Sequence, residues 1–161
     1  MNIFRILVVS DSHGDFSSLL KVWRKENQLN PVQLLMHLGD GVLDALRLHR
    51  MTGISLEAVN GNNDPKGAFP DETIVTIEKV RIYLSHGNQF GLPLNPLSIA
   101  RRLRGKKIDL ALFGHTHQYI YEQKKGLTIV NPGAACRWEK NPGYIILKIT
   151  AGKFELTRKA L

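Results

Sequence analysis

The stretch Phe4-Arg5-Ile6-Leu7-Val8-Val9-Ser10-Asp11-Ser12-His13-Gly14-Asp15 decides how this chain is read. Its first half is a β-branched and apolar run, and its second half is a polar turn. Asp15 is then placed to cap a helix in which Phe16, Leu19, Leu20 and Trp23 recur at helical spacing. The product is a β-loop-α unit with Asp11 and His13 in its loop. Residues two apart on an extended exit loop project to one side, so this pair can chelate one ion.

Working outward, the plan repeats. Residues 34–38 form a second apolar run, Gly39-Asp40 makes the turn, and Val42, Leu43, Ala45, Leu46 and Leu48 give the apolar part of the next helix. A third run, residues 54–59, leads into Gly61-Asn62-Asn63-Asp64. After Pro70 the pattern changes. Glu72–Ile77 and residues 80–84 are strand-like and joined through Glu78-Lys79, which predicts an antiparallel hairpin ending at Ser85-His86-Gly87.

A short helix is expected over residues 97–103 and a strand over 110–113, followed by Gly114-His115-Thr116-His117. Further strands are read at 119–123, 127–130, 144–149 and 154–157, punctuated by Lys125-Gly126, Asn131-Pro132-Gly133 and Ala151-Gly152. Early βαβ units before a β-rich second half predict an α/β fold of two facing sheets flanked by helices. The sequence shows no internal repeat, linker or low-complexity segment.

Length and composition set the frame. A chain of 161 residues with 43% apolar content fits one compact domain over residues 1–161. Phe4–Val9 is too short an apolar run for a signal peptide, and no other run is long enough to span a bilayer, so no membrane partner is expected. The lone Cys136 has no disulfide partner and no CxxC neighbour, which fits a reducing cytoplasm. A formal charge of +8 attracts polyanions, phosphate esters and acidic surfaces alike, over a Debye length of roughly 8 Å. Its densest part is residues 101–107, Arg-Arg-Leu-Arg-Gly-Lys-Lys. No aromatic residue is interleaved there to stack bases, so a solvated helix end is the expected reading over a nucleic-acid footprint.

The chemistry lies in where the polar motifs fall. Open α/β sheets form crevices beyond the carboxyl ends of their strands, and the five motifs would converge on one such edge. Four of the six histidines belong to them. Carboxylates, carboxamides and imidazoles without a thiolate suit manganese, iron, cobalt or zinc. Two divalent ions would polarise a phosphoryl group and lower the pKa of a bridging water, so that hydroxide attacks a phosphate ester in line. No Gly-x-Ser-x-Gly elbow offers a competing nucleophile. Glycines 14, 39, 61, 87 and 114 would permit tight turns and a close approach to phosphate.

The ordered series Asp11-x-His13, Gly39-Asp40, Gly61-Asn62-x-Asp64, His86 and Gly114-His115-x-His117 resembles the calcineurin-like metallophosphoesterase family. The short length and the Asn131-Pro132-Gly133 turn are similar to its small prokaryotic YfcE-type phosphodiesterase branch. The resemblance implies the metallophosphoesterase fold, a four-layer αββα sandwich of two mixed β-sheets flanked by helices. It further implies two ions, manganese first and nickel, cobalt, iron or zinc after it. One would be held by Asp11, His13, Asp40 and His117, and the other by Asp40, Asn62, His86 and His115. Asp40 and the attacking hydroxide would bridge them.

The expected catalytic group is Asp40, Asn62, Asn63 and His115. Many relatives carry histidine where Asn63 stands, placed to contact the substrate phosphate and assist the leaving group. An Asn cannot act as an acid, so a contribution of typically about 10²- to 10⁴-fold is absent at this position. Phosphodiester cleavage is therefore expected over broad phosphomonoesterase activity, with Asn63 hydrogen-bonding a phosphoryl oxygen. Asp64 reads as support for the ligands. His37 and His49 fall on a strand and a helix, where packing or solvent contact is the expected role. Asn131, Arg137 and Trp138 read equally as a substrate entrance or a turn, while Tyr119 and Tyr121 read as sheet packing.

The leading expectation is a metal-dependent phosphodiesterase acting on a small or nucleotide-derived ester. A nuclease or RNA-processing enzyme with the same site is supported only by the basic segment. A non-catalytic interaction module is the third class, since the retromer scaffold subunit is similar to this fold with an eroded metal site. The competent ligand types at His13, Asn62, His86, His115 and His117 argue against it. Pairing of two copies is left open by the sequence.

Overall fold

A computed structural model describes residues 3–91 and 94–161. The opening strand β1 (Phe4–Val9) leads into α1 (Phe16–Leu29), β2 (Leu34–His37), α2 (Val42–Thr52) and β3 (Ser55–Ala58). The hairpin β4 (Glu72–Ile77) and β5 (Val80–Ser85) follows, turning through Glu78 and Lys79, both at positive φ. The remaining elements are a short 3-10 helix (Asn88–Phe90), α3 (Pro96–Arg102), β6 (Leu110–Leu112), β7 (Tyr119–Lys124), β8 (Leu127–Pro132), β9 (Gly143–Thr150) and β10 (Lys153–Ala160).

The strands form two mixed five-stranded sheets, ordered β10-β9-β1-β2-β3 and β4-β5-β6-β8-β7. β1, β2 and β3 pair in parallel, as do β5, β6 and β8, while β9, β10, β4 and β7 add antiparallel neighbours. Alternation along each strand divides the apolar side chains between layers. Ile6, Val8 and Met36 of the first sheet meet Ile82, Leu84, Leu112 and Val130 of the second in a central core. Leu7, Val9 and Leu35 face the other way, against Leu19 and Val22 of α1 and Ala45 and Leu48 of α2. Tyr83, Ala111 and Ile129 face Ile99 of α3 and Leu103 just beyond it. Four layers, αββα, result.

The helix starts follow from local chemistry. Asp15 caps α1 by accepting from Ser18 N at 3.3 Å and also accepts from Arg137 N at 2.9 Å, which ties the β8–β9 connection to the start of α1. The carboxyl end of α1 has no basic residue of its own in its last turn; Arg5 Nη1 from β1 donates to the carbonyls of Glu26 and Asn30 at 2.8 and 2.6 Å. α2 begins at Gly41, which has no side chain to cap it. Asp64 performs that task from the β3–β4 connection.

Element boundaries differ from the sequence expectation by a few residues. β3 is shorter than residues 54–59, and β10 runs on to Ala160, where its eight-residue antiparallel register with β9 continues regardless of side-chain alternation. No helix among the described residues is long and apolar enough to cross a membrane.

Candidate metal centre

Five loops leave the carboxyl ends of β1, β2, β3, β5 and β6 on one edge of the sandwich, and backbone hydrogen bonds lace them together. Asp11 N donates to Gly39 O at 2.9 Å, His13 N to Asp40 O at 3.0 Å, and Gly114 N to His86 O at 2.9 Å. The second and third sequence motifs are joined by one carboxylate. Asp64 Oδ2 accepts from Asp40 N and Gly61 N, at 2.7 and 2.8 Å, and its Oδ1 accepts from Gly41 N and Val42 N. The expected supporting role of Asp64 thus has a physical form: it fixes the backbone that carries Asp40.

Ten non-glycine residues among those described have positive φ, and five of them are Asp11, His13, Asp40, His115 and His117, with φ between 46° and 70°. Left-handed backbone is uncommon for any residue other than glycine, although Asp and His tolerate it better than most. Its concentration on the candidate ligands fits the general pattern that local strain gathers where function requires a fixed geometry.

Two groups of side chains have metal-holding spacing. Asp11, His13 and His117 form one, and Asp11, Asp40 and His86 the other. Asp11 is fully buried. Its Oδ2 accepts from Ser10 Oγ at 2.5 Å and from His115 N at 3.0 Å, whereas its Oδ1 has no hydrogen-bond partner. That orphaned oxygen faces three imidazole Nε2 atoms, of His117 at 3.3 Å, His13 at 3.8 Å and His86 at 3.9 Å.

The outer nitrogens fix the tautomers. His86 Nδ1 lies 2.7 Å from the carbonyl of Leu38 and His117 Nδ1 lies 2.8 Å from Glu139 Oε1, so in the neutral ring each Nδ1 carries the hydrogen and each Nε2 presents a lone pair inward. A buried carboxylate oxygen left unpaired beside inward-facing imidazole lone pairs is costly on its own and natural around a cation. The residues present fit divalent metal.

In metal-free protein, protons on the rings supply part of the positive charge that the carboxylates call for. Burial alone would raise the Asp40 carboxyl, yet the His86 imidazole, 3.4 Å away, and two hydrogen bonds from Asn63 hold it well below the ordinary carboxylate range. His86 is raised despite its burial, by Asp40 and Asp11. His117 is pushed up to about 9, chiefly by Asp11 and further by Glu139. His115 is lowered, by burial and by the neighbouring His86.

The structure thus brings together Asp11, His13, Asp40, His86, His115 and His117, with His115 Nδ1 3.2 Å from His86 Nε2 and His13 Nε2 3.1 Å from His117 Nε2. Asn62 is exposed at the mouth of an adjacent cavity of about 750 Å³ that Gly61, Lys66, Asp71, Asn88, Gln89 and Arg102 also line. Asn63, also exposed, braces Asp40: its backbone N–H donates to Asp40 Oδ1 at 2.9 Å and its Nδ2 to Asp40 Oδ2 at 2.7 Å. Asn131 is buried and builds a turn, donating to Gly114 O and accepting from Gly133 N. Trp138 is 60% exposed.

Two of the motif glycines owe their identity to crowding by the ligands. A Cβ on Gly61 would fall 2.1 Å from Asp40 Oδ1, and one on Gly114 would fall 1.9 Å from Ser10 Oγ and 2.7 Å from Asp11 Oδ2.

Over residues 4–152 the sequence matches the calcineurin-like phosphoesterase superfamily domain. The chain belongs to this family. A probable metallophosphoesterase of Bacillus subtilis, YsnB, is 30% identical over 147 residues, which cover 89% of this chain and 83% of that protein. A phosphodiesterase of Methanocaldococcus jannaschii is 22% identical, with 96% and 95% covered. Among solved structures, a predicted phosphoesterase from Streptococcus pneumoniae superposes with a TM-score of 0.78 at 22% identity, covering 99% of this chain and 91% of that one. Vacuolar protein sorting 29 from Cryptosporidium parvum gives 0.73 at 22% identity, with 99% and 98% covered.

For a calcineurin-like phosphoesterase, the carboxylate that orients His117 escaped the sequence reading. Glu139 lies well beyond the last histidine motif, in the polar run Trp138-Glu139-Lys140-Asn141 that reads as an ordinary turn. Nothing in its local pattern points to His117. The basic stretch has a place of its own: Arg101, Arg104 and Lys107 line a groove with Lys124 and Lys125 between α3 and the β7–β8 turn. Of residues 101–107 only Arg102 lines the cavity beside Asn62.

Proposed function

We propose that this calcineurin-like phosphoesterase is a cytoplasmic metal-dependent phosphodiesterase with a dinuclear centre, manganese being the first choice of metal, acting on a small or nucleotide-derived diester. The observation that carries the reading is Asp11 Oδ1, buried and unpartnered among the Nε2 atoms of His13, His86 and His117, the last two with rings oriented from outside.

Asp11, His13, Asp40 and His117 would hold one ion, and Asp40, Asn62, His86 and His115 the other. When bound, such a pair supplies Lewis-acid stabilisation of phosphoryl charge and a water acidic enough to serve as nucleophile. The chain's own residues do the rest. Leu38 O and Glu139 orient the rings of His86 and His117, and Asp64 holds the backbone of Asp40.

Asn63 is an amide, with no proton to give a leaving group, and it braces the Asp40 carboxylate with two hydrogen bonds. Leaving-group protonation, worth about 10²- to 10⁴-fold where present, is unavailable from that position. This favours diesters. The remainder of the ester has room in the polar cavity beside Asn62.

The test is hydrolysis of bis(p-nitrophenyl) phosphate beside p-nitrophenyl phosphate, with metal-stripped protein, metals added back and an Asp40→Asn control. Metal-dependent cleavage that prefers the diester and vanishes in the control is expected. Folded protein that cleaves neither ester with manganese, nickel, cobalt or zinc would overturn the proposal.

A further inference from the structure

We infer that His37, a histidine outside the ligand set, is a positioning residue that locks the Asp11–His13 loop to the Asp40 loop through Ser12 and Asp44. The inference rests on the metal-centre reading of those two loops.

His37 is the last residue of β2 and is fully buried, as is Ser12; Asp44, on the first turn of α2, is 9% exposed. Three hydrogen bonds link them in series. Gly39 N lies 3.2 Å from His37 Nδ1, His37 Nε2 lies 3.0 Å from Ser12 Oγ, and Ser12 Oγ lies 2.6 Å from Asp44 Oδ2. The same Asp44 oxygen accepts from Gly14 N at 2.9 Å.

The direction of every proton in this series is fixed. A backbone N–H can only donate, so His37 Nδ1 is the acceptor from Gly39 and bears no hydrogen. The neutral ring then carries its hydrogen on Nε2 and donates to Ser12 Oγ. The serine hydroxyl in turn donates to the Asp44 carboxylate, which can only accept. All donors point towards Asp44.

The position of the series gives it its purpose. Ser12 separates the candidate ligands Asp11 and His13, and Gly39 precedes the candidate ligand Asp40. His37 therefore touches each loop one residue from a ligand. All three ligands sit in left-handed backbone, with φ of 53°, 46° and 53°, a conformation uncommon outside glycine that fixed surroundings help to hold. A side chain that merely filled space at the end of β2 would give neither loop a hydrogen bond. Sites are held within fractions of an ångström by such outlying contacts, and loosening them costs affinity.

The experiment compares wild type with His37→Leu, His37→Gln and Ser12→Ala, reading manganese affinity by calorimetry on metal-stripped protein, kcat and KM on bis(p-nitrophenyl) phosphate, and melting temperature. His37→Leu should lose about 10- to 100-fold in metal affinity and in kcat, with KM changed less than about twofold. His37→Gln retains a donor where Nε2 stood and should recover most of that loss. Nitrogen-15 NMR of metal-free wild type should show the His37 ring in its Nε2–H tautomer.

A folded His37→Leu with wild-type affinity and kcat would overturn the inference, as would the opposite tautomer, or Gln and Leu impaired alike. Should His37→Leu not fold, Ser12→Ala decides: it leaves the imidazole in place, and unchanged metal affinity there overturns the inference. Wild-type protein that takes up no manganese fails the metal-centre reading itself. Wild type that binds manganese no better than folded His37→Leu fails this inference alone.

Discussion

His117 and Glu139 are joined through Nδ1 and Oε1 at 2.8 Å, and the opposite ring nitrogen of His117 faces Asp11 Oδ1 at 3.3 Å. The carboxylate thus fixes the tautomer and the direction of the imidazole from outside the centre. Replacing such an outer partner typically costs about 10- to 100-fold in metal affinity or activity. Glu139→Ala should lose that much in calorimetric manganese affinity, while Glu139→Gln, which keeps an oxygen acceptor, should lose less. The side chain is 30% exposed, so neither change should disturb folding.

Protons compete with metal for the same lone pairs. In metal-free protein His117 is pushed up to about 9, mainly by Asp11, and His86 is raised as well. A protonated imidazole must release its proton before it can ligate, so apparent metal affinity should climb as pH rises from about 6 and level off above about 9. The slope is at most about tenfold per pH unit for each proton released. Calorimetry in buffers of different ionisation enthalpy counts those protons. Affinity independent of pH over this range would contradict the ring assignments.

Gly61→Ala should damage the centre without replacing a ligand. The added Cβ would sit 2.1 Å from Asp40 Oδ1 and 2.4 Å from Asp40 N, and both neighbours are held in place by Asp64 and Asn63. Asp40 must shift. A displacement near 1 Å costs about 10²-fold in rate, which kcat on a chromogenic diester would reveal against an unchanged far-ultraviolet spectrum.

Stability has a different anchor. Glu26 is fully buried on α1 and accepts from Tyr144 Oη at 2.6 Å, from Lys159 Nζ at 2.8 Å and from Arg5. Burial alone would raise its carboxyl, but Lys159, Tyr144 and Arg5 together lower it below the unfolded value of 4.5. A carboxyl lowered on folding contributes fully above its unfolded pKa and loses that contribution as pH falls through the folded one. Glu26→Leu leaves Arg5 buried without its partner and should cost about 3–5 kcal/mol near neutral pH. Urea unfolding at neutral pH and at about pH 3 should show the gap between variant and wild type narrowing in acid.

How much of this was legible in sequence depends on the range of the interaction. The strands and helices were readable because Phe4–Val9, residues 34–38 and the stripe of Phe16, Leu19, Leu20 and Trp23 declare their periods locally. The ligand motifs were readable because each follows a strand, so one edge of the two-sheet sandwich collects them. Three features were not. Glu139 and Asp44 carry ordinary polar-turn and helix-face patterns, and their partners lie far away in the chain. His37 is a single histidine in an otherwise apolar strand, and its hydrogen bonds run to loops rather than to strand neighbours. The left-handed backbone at Asp11, His13 and Asp40 is imposed by inter-loop bonds, since Asp and His do not advertise positive φ as glycine does.

The most direct test of the account is to titrate manganese into metal-stripped protein and follow bis(p-nitrophenyl) phosphate turnover against equivalents added, with Asp40→Asn in parallel. A dinuclear phosphodiesterase predicts turnover that is absent without metal, reaches its plateau as two equivalents are bound, and never develops in Asp40→Asn. Turnover already complete in metal-free protein, or a folded wild type that binds manganese and cleaves nothing, would contradict it.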